Sequence, residues 1–246
     1  MPTVLAIDTS TAACSAALWR DGAVAAGRRE IIGRGHAENL MPMIDAVMQE
    51  AGAVPADLSL IAVTTGPGAF TGLRLGLASA RGLALGLDLP CLGLTTTEAM
   101  AAAVVGGEAG DEDGAADRAE NGEVIIAVLD SKRGDFYLQA FAATGAALGD
   151  AVVARPETLA EILAAKPGDA RNGVLVGDVQ RPAAEILAAA GWRLRQTDVT
   201  APDARVVARL AAARWRPDAP RPPMPAPLYL RPADATPAKR GGRIRE

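Results

Sequence analysis

The chain is poor in cysteine, aromatic residues, lysine and histidine, and each shortage closes off a class of function. Among its 246 residues are two cysteines, Cys14 and Cys91. They lie far apart with no CxxC or Cys/His spacing, which fits buried thiols in a reducing compartment better than a disulfide or a zinc site. Three Phe, two Tyr and three Trp make 3% of the chain, too little for the aromatic platform on which single-stranded bases stack. His36 is the single histidine, so a His-rich metal site is excluded. Apart from Lys132, Lys166 and Lys239 the positive charge is arginine, and 25 basic against 29 acidic residues leave a net charge of −4. That balance argues against a protein that grips nucleic acid by itself through phosphate neutralisation, although a basic partner can still bring RNA to it. There is no apolar run of 18 residues, and 50% hydrophobic with 22% charged residues is a globular, not a membrane, composition. The opening MPTVLAIDTS lacks a basic segment and is interrupted by Asp8, so a cytoplasmic protein is expected, with no membrane partner.

At about 150 residues per domain the length allows one large domain or two small ones. The pattern predicts strands at 3–8, 13–20 and 23–31, the last two joined by Asp21-Gly22, a dipeptide suited to a tight hairpin turn. Leu40, Ile44, Val47 and Ala51 recur at helical spacing from about His36, followed by a strand at 58–64, a glycine-rich turn, a helix at 71–87 and a strand at 91–94. Residues 106–122 are acidic and aperiodic, which reads as a mobile boundary or as a surface insertion within one domain. The strand pattern then restarts at 123–130 and 136–142 across Ser131-Lys132-Arg133-Gly134. A strand near 151–155, helices at 156–165 and 182–190 with a short strand at 174–177 between them, and a helix at 202–215 follow. The expected division is a lobe at 1–105, the acidic connection, a lobe at 123–200, a helix at 201–216 returning to the first lobe, and a proline-rich, extended basic tail at 217–246 carrying Lys239, Arg240, Arg243 and Arg245. Two βββαβα-type lobes are the outline of an α/β protein with the actin-like ATPase (ASKHA) fold, an inference by analogy of fold.

Three groups of residues could carry chemistry. Asp8, Thr9, Ser10 and Thr11 put a carboxylate and hydroxyls at the end of a buried strand, where they hold an anion or Mg²⁺, or simply form a turn. Gly66, Gly68, Thr71, Gly72 and Arg74 belong to GPGAFTGLRLG, a loop that opens a helix. Its glycines either present amides to a phosphate or let the helix pack closely. No Lys-Ser/Thr pair follows, so it is not a Walker loop. On the two helices, Met41 and Met48 flank the stripe of Leu40, Ile44 and Val47, while Leu73, Leu75, Gly76, Ala80 and Leu83 line a helix that is apolar or small all round. One side serves the core, and the other serves either a partner or a larger core. His36 at a helix start reads as a cap or interface group, with no Ser or Cys to pair with it in catalysis.

The segments AIDTSTAACSAAL, RGHAENLMPMI, GPGAFTGLRLG, DSKRGDFY and PLYLRP, in this order, resemble the TsaB (YeaZ) family over about residues 3 to 232, the acidic insertion aside. Ala69 stands where the family usually has Ser, and Ser131-Lys132 where it usually has Ala-Arg. The resemblance implies an actin-like, two-lobed subunit with no catalytic residue or metal of its own. Such a subunit is needed to make threonylcarbamoyladenosine in tRNA together with the TsaD transferase and the TsaE ATPase. It also implies a heterodimer with TsaD and, without that partner, a homodimer, through His36, Leu40, Met41, Ile44, Val47, Met48, Leu73, Leu75, Gly76, Ala80 and Leu83. tRNA is met only through the complex, and ATP or ADP only at a composite site with the partners. The HxEGH metal motif of the transferase corresponds here to Thr96-Thr97-Glu98-Ala99-Met100. A hydroxyl and a thioether thus replace the two imidazoles, and neither holds Fe²⁺ or Zn²⁺ in that geometry. The competing reading is an actin-like ATPase or phosphotransferase acting alone. Such an enzyme should carry a DxG turn in each lobe, whereas Ser10 replaces the first glycine.

Overall fold

The computed structural model describes residues 1–105, 117–165 and 171–231. The first half runs β1 (Val4–Asp8), β2 (Ala13–Arg20), β3 (Ala23–Ile31), α1 (His36–Glu50), β4 (Leu60–Thr64), α2 (Phe70–Gly86), β5 (Cys91–Leu94) and α3 (Thr96–Ala103). The second repeats the same succession: β6 (Val124–Asp130), β7 (Phe136–Ala142), β8 (Val152–Ala154), α4 (Leu159–Ala164), β9 (Asn172–Val176), α5 (Gln180–Ala189), β10 (Arg193–Gln196) and α6 (Ala204–Arg214). Each half builds a five-stranded sheet, ordered β3-β2-β1-β4-β5 and β8-β7-β6-β9-β10. The first three strands of each are antiparallel and the last two join in parallel. This duplicated α/β plan is the actin-like arrangement expected from the sequence.

Local chemistry explains most boundaries. Asp21 and Gly22 take φ of 56° and 87°, the paired positive values that turn β2 tightly into β3. Thr95 caps α3 by accepting from Glu98 N at 3.1 Å, and Asp203 caps α6 by accepting from Arg205 N at 2.8 Å. β10, which the sequence pattern does not predict, reads RLRQ and lies at the sheet edge with mostly exposed side chains. A strand bought by edge pairing alone carries no apolar signature.

Burial follows the alternation of strand faces. Leu5 and Ile7 of β1 point to α1 and α2, where Leu40, Met43, Ile44, Val47, Leu77 and Ala80 cover them. Val4 and Ala6 point the other way, onto Ala204, Val207, Ala208 and Ala211 of α6. With both faces covered, β1 and β4 are buried at every residue. In the second sheet Ile126 and Val128 meet α4 and α5, while Ile125, Ala127 and Leu129 meet Met100 and Ala101 of α3 and Val104 just beyond it. The two halves thus exchange their last helices: α6 returns to the first sheet, and α3 backs the second. Residues 106–116 of the acidic connection and the basic cluster Lys239, Arg240, Arg243 and Arg245 lie outside the described residues.

One set of expectations is corrected. Leu40, Ile44, Val47, Met48, Leu73 and Ala80 are buried, as is Gly76, so in this chain they are core and not a free face. The register of α1 and α2 turns that stripe onto β1, β2 and β4. Among the candidates, Met41 stays exposed and His36, Leu75 and Leu83 half-buried, and the exposed residues of the two helices include Glu38, Pro42, Asp45, Phe70, Arg74, Ala78, Arg81 and Leu85.

Two outcomes are expected. Leu40→Ala should cost about 2–5 kcal/mol in denaturant unfolding, and Leu40→Glu should abolish folding outright, as judged by circular dichroism. Cys14 and Cys91 are both buried, and burial pushes each thiol up to about 11. Neither should be alkylated by iodoacetamide at pH 8 in the folded protein, whereas both should be in denaturant, as read by intact mass.

Candidate binding cleft and partner face

β1 delivers Asp8 to its C-terminal end, and there the side chain is consumed locally. Oδ1 accepts from Ser10 N at 3.1 Å, Ser10 Oγ at 2.6 Å and Thr64 Oγ1 at 2.6 Å. Oδ2 is buried without a partner. Burial raises the Asp8 carboxyl above its ordinary range, against the lowering effect of these bonds. Ser10, standing where an open phosphate turn would need glycine, instead closes the turn on the carboxylate.

The glycine loop is built around the same turn. A Cβ on Gly68 would collide with the carbonyl of Ser10, one on Gly72 with the carbonyl of Thr9, and one on Gly76 would sit 2.5 Å from Thr9 Oγ1. In their place Ala69 N donates to Ser10 O at 2.7 Å, and Thr9 Oγ1 donates to Gly72 O at 2.7 Å. Of the two uses open to these glycines, close packing is the one the contacts display. Asp8 and Thr9 are buried beneath the turn and take no part in the cleft lining. His36 locks the turn from its other side, its Nε2 lying 3.0 Å from Thr11 O and 3.2 Å from Ala13 O. Both partners are acceptors, so this nitrogen carries the proton.

Ser10, Gly68, Thr71, Gly72 and Arg74 do reach an interlobe cleft of about 1340 Å³, which Asp8, Thr9 and Gly66 do not line. Opposite them stands the β6–β7 turn, the second half's counterpart of the β1–β2 turn. There Lys132, at φ 62°, donates from N to Asp130 Oδ1 at 2.6 Å and from Nζ to Asp130 Oδ2 at 2.9 Å. Asp130 N in turn donates to Asp178 Oδ1 at 2.8 Å. Burial raises the carboxyl of Asp178. At Asp130 burial also pushes upward, but the bonds and charge of Lys132 outweigh it and hold that carboxyl low. The lining carries Arg34, Arg74, Lys132, Arg133 and Arg231 against Glu38, Asp130 and Asp178, a cationic surplus on a chain of net charge −4. At the cleft mouth the Arg74 guanidinium lies 3.7 Å over the Phe70 ring and donates from Nε to the Tyr229 hydroxyl at 3.0 Å.

Sequence reading missed Asp130, Asp178, Phe70, Tyr229 and Arg231 as cleft residues. The repeat of the strand pattern is the signal that could have pointed to the Asp130 turn. Tyr229 and Arg231 lie in the PLYLRP segment that carries the resemblance, but its seat in the cleft, with Tyr229 on Arg74 from 155 residues away, is not written in its local pattern. Among the described residues no group of three or more His, Cys, Asp or Glu could hold a metal ion. Thr96 and Met100 are buried, and Glu98 is paired with Arg214.

Because burial lifts the Asp8 carboxyl, the folded state holds that proton more tightly than the unfolded chain. Stability then falls as pH rises from the unfolded value through the folded one. Asp8→Asn should flatten this fall above about pH 4, a change read as the dependence of melting temperature on pH in variant and parent.

A family model described as TsaD: tRNA N6-adenosine threonylcarbamoyltransferase matches residues 29–172. The TsaB protein of Escherichia coli K12, named as a tRNA threonylcarbamoyladenosine biosynthesis protein, is 37% identical over 134 residues, 54% of this chain and 52% of that one. The Haemophilus influenzae protein of the same name is 38% identical over 135 residues, 55% and 52% of the two chains. The matched chain thus spans about half the length of these curated relatives. The solved structure of YeaZ from Pseudomonas aeruginosa superposes with a TM-score of 0.73 at 28% identity, covering 94% of this chain and 100% of that one. With more than half of its residues inside the family model and the two-lobed YeaZ architecture over nearly its whole length, this chain belongs to the TsaD-type family and, within it, to the TsaB (YeaZ) proteins.

Proposed function

We propose that this protein is the non-catalytic subunit of the machinery that forms threonylcarbamoyladenosine in tRNA, and that it binds and activates the TsaD transferase. The observation that carries this reading is the outer face of α1 and α2. Met41, Phe70 and Leu85 are exposed there, at 43%, 54% and 78%, next to small Ala78 and Gly82, which are also exposed. A face on two adjacent helices that sets these apolar and small residues beside exposed Asp45, Arg74 and Arg81 is one that a helix pair of similar build can cover. The match to the transferase's own family model supports a partner of the same construction. A self-complementary face of this kind also supports a homodimer when the transferase is absent, in competition with it. Activation is then a population shift, requiring tighter binding to the competent transferase conformation than to others.

On this reading the TsaE ATPase joins the same assembly, tRNA is met only through it, and ATP or ADP belongs to a composite site with the partners. The alternative, an ATPase or phosphotransferase acting alone, finds little support where Ser10 seals the Asp8 turn and the glycine loop packs against it.

The test is threonylcarbamoyladenosine formation on tRNA, by nucleoside mass spectrometry, with transferase, ATPase and adenylate-forming enzyme supplied. Product should depend on this protein, which alone should form none. Equal product without it, or ATP hydrolysis by it alone that Asp8→Ala abolishes, would overturn the proposal. Ala78→Glu, on the exposed face and away from the core, should leave the melting temperature unchanged and weaken transferase binding roughly tenfold or more in calorimetry.

A further inference from the structure

Residues 217–231 form neither helix nor strand, yet their path over the molecule is fixed at successive points. Arg221 reaches back to Asp88, donating to its carboxylate at 3.0 Å and also to its carbonyl. Pro225 occupies the room left by the missing side chain of Gly93, where a Cβ would come within 2.8 Å of the proline Cβ. Leu228 N donates to Thr65 O at 2.7 Å, extending the C-terminal end of β4. Tyr229 is then seated by Arg74, with its ring 5.7 Å from that of Phe70. All of these anchors lie on the first lobe. Two residues later the chain has crossed, because Arg231 is paired with Asp135 of the β6–β7 turn in the second lobe. Asp135 also accepts from Ser131 Oγ, so the tie is made to the turn that faces Ser10 across the cleft.

We propose that this segment is a strap that sets how far the two lobes separate across the cleft, with Tyr229 as its seat on one lobe and Arg231 as its tie to the other. Six prolines between 217 and 227 make the approach stiff, so little chain entropy is lost in holding it extended. The tie is shielded: the Arg231 side chain is 30% exposed and that of Asp135 is 14%, and Arg231 Nε is buried with no partner of its own. A guanidinium so placed, with its charge answered by one carboxylate, stays attached more firmly than an ion pair in open solvent. Leu228, Tyr229 and Arg231 themselves line the cleft, so a strap that slackens both frees the lobes and removes part of the wall. The lobes remain joined at their base by the exchanged α3 and α6, which leaves opening about that base as the motion the strap restrains.

The experiment is a distance measurement by electron spin resonance between spin labels at Glu38→Cys, in the first turn of α1, and Arg181→Cys, in the first turn of α5. Both positions are exposed, and the native thiols are buried. In the full chain, Arg231→Glu should give a longer and broader distance distribution. Arg231→Gln should shift it in the same direction by less, and Tyr229→Ala should loosen it independently from the other anchor. Each variant is checked for an unchanged circular dichroism spectrum. A folded Arg231→Glu, or a folded Arg231→Gln should the charge reversal fail to fold, that keeps the parent distribution would overturn the strap.

Discussion

The structure depends on one close approach, that of the first turns of α2 to the turn after β1. Carbonyls of Thr9 and Ser10 lie where side chains of Gly72 and Gly68 would otherwise stand. The contact is then riveted by the bonds Ala69 N to Ser10 O and Thr9 Oγ1 to Gly72 O. Any larger residue at these glycines would displace a backbone, not a flexible side chain, and the error would be passed along two elements. One end of α2 fixes the wall of the cleft, and its outer side fixes the exposed helix face. Both functional surfaces therefore inherit their geometry from this packing.

The same contact accounts for what the first half of the fold does with its acidic turn. In a duplicated architecture the β1–β2 and β6–β7 turns face each other, but their chemistry has diverged. Asp8 is sealed under Ser10 and Thr64 with its carboxyl raised by burial. Asp130 stays at the cleft, held low by Lys132. The sealed carboxyl is buried, its Oδ2 without a partner, and does not line the cleft, whereas the opposite turn keeps its charges within reach of it. The cleft thus has one wall whose acidic turn is sealed by packing and whose charges are Arg34, Glu38 and Arg74, and one wall carrying Asp130, Lys132, Arg133 and Asp178, and Tyr229 and Arg231 run between them.

The outer side of α1 and α2 shows why burial has to be read residue by residue. Leu40, Ile44 and Val47 form a stripe that faces the chain's own sheet, while Met41, only one residue from Leu40, points outward. An apolar count along the helix makes no distinction between the two. On α2 the small residues split the same way, Gly76 and Ala80 inward and Ala78 and Gly82 outward. A partner reading rests on the second set, with Phe70 and Leu85 beside it.

By itself, the sequence determined the succession of strands and helices apart from β10, the Asp21-Gly22 hairpin, the two-lobed plan and the family, because each is written in short-range periodicity, turn chemistry or contiguous motifs. It placed Cys14 and Cys91 as buried thiols, since their number and spacing are matters of residue type. Tertiary structure alone decided which flank of α1 and α2 is core, whether the loop glycines serve a ligand or a backbone, and that β10 pairs at the edge. It also decided that Tyr229 joins Arg74 across 155 residues of chain and that Arg231 joins Asp135 of the second lobe. Each of these depends on what another segment brings alongside, and that is settled by packing between distant segments, which no local spacing records.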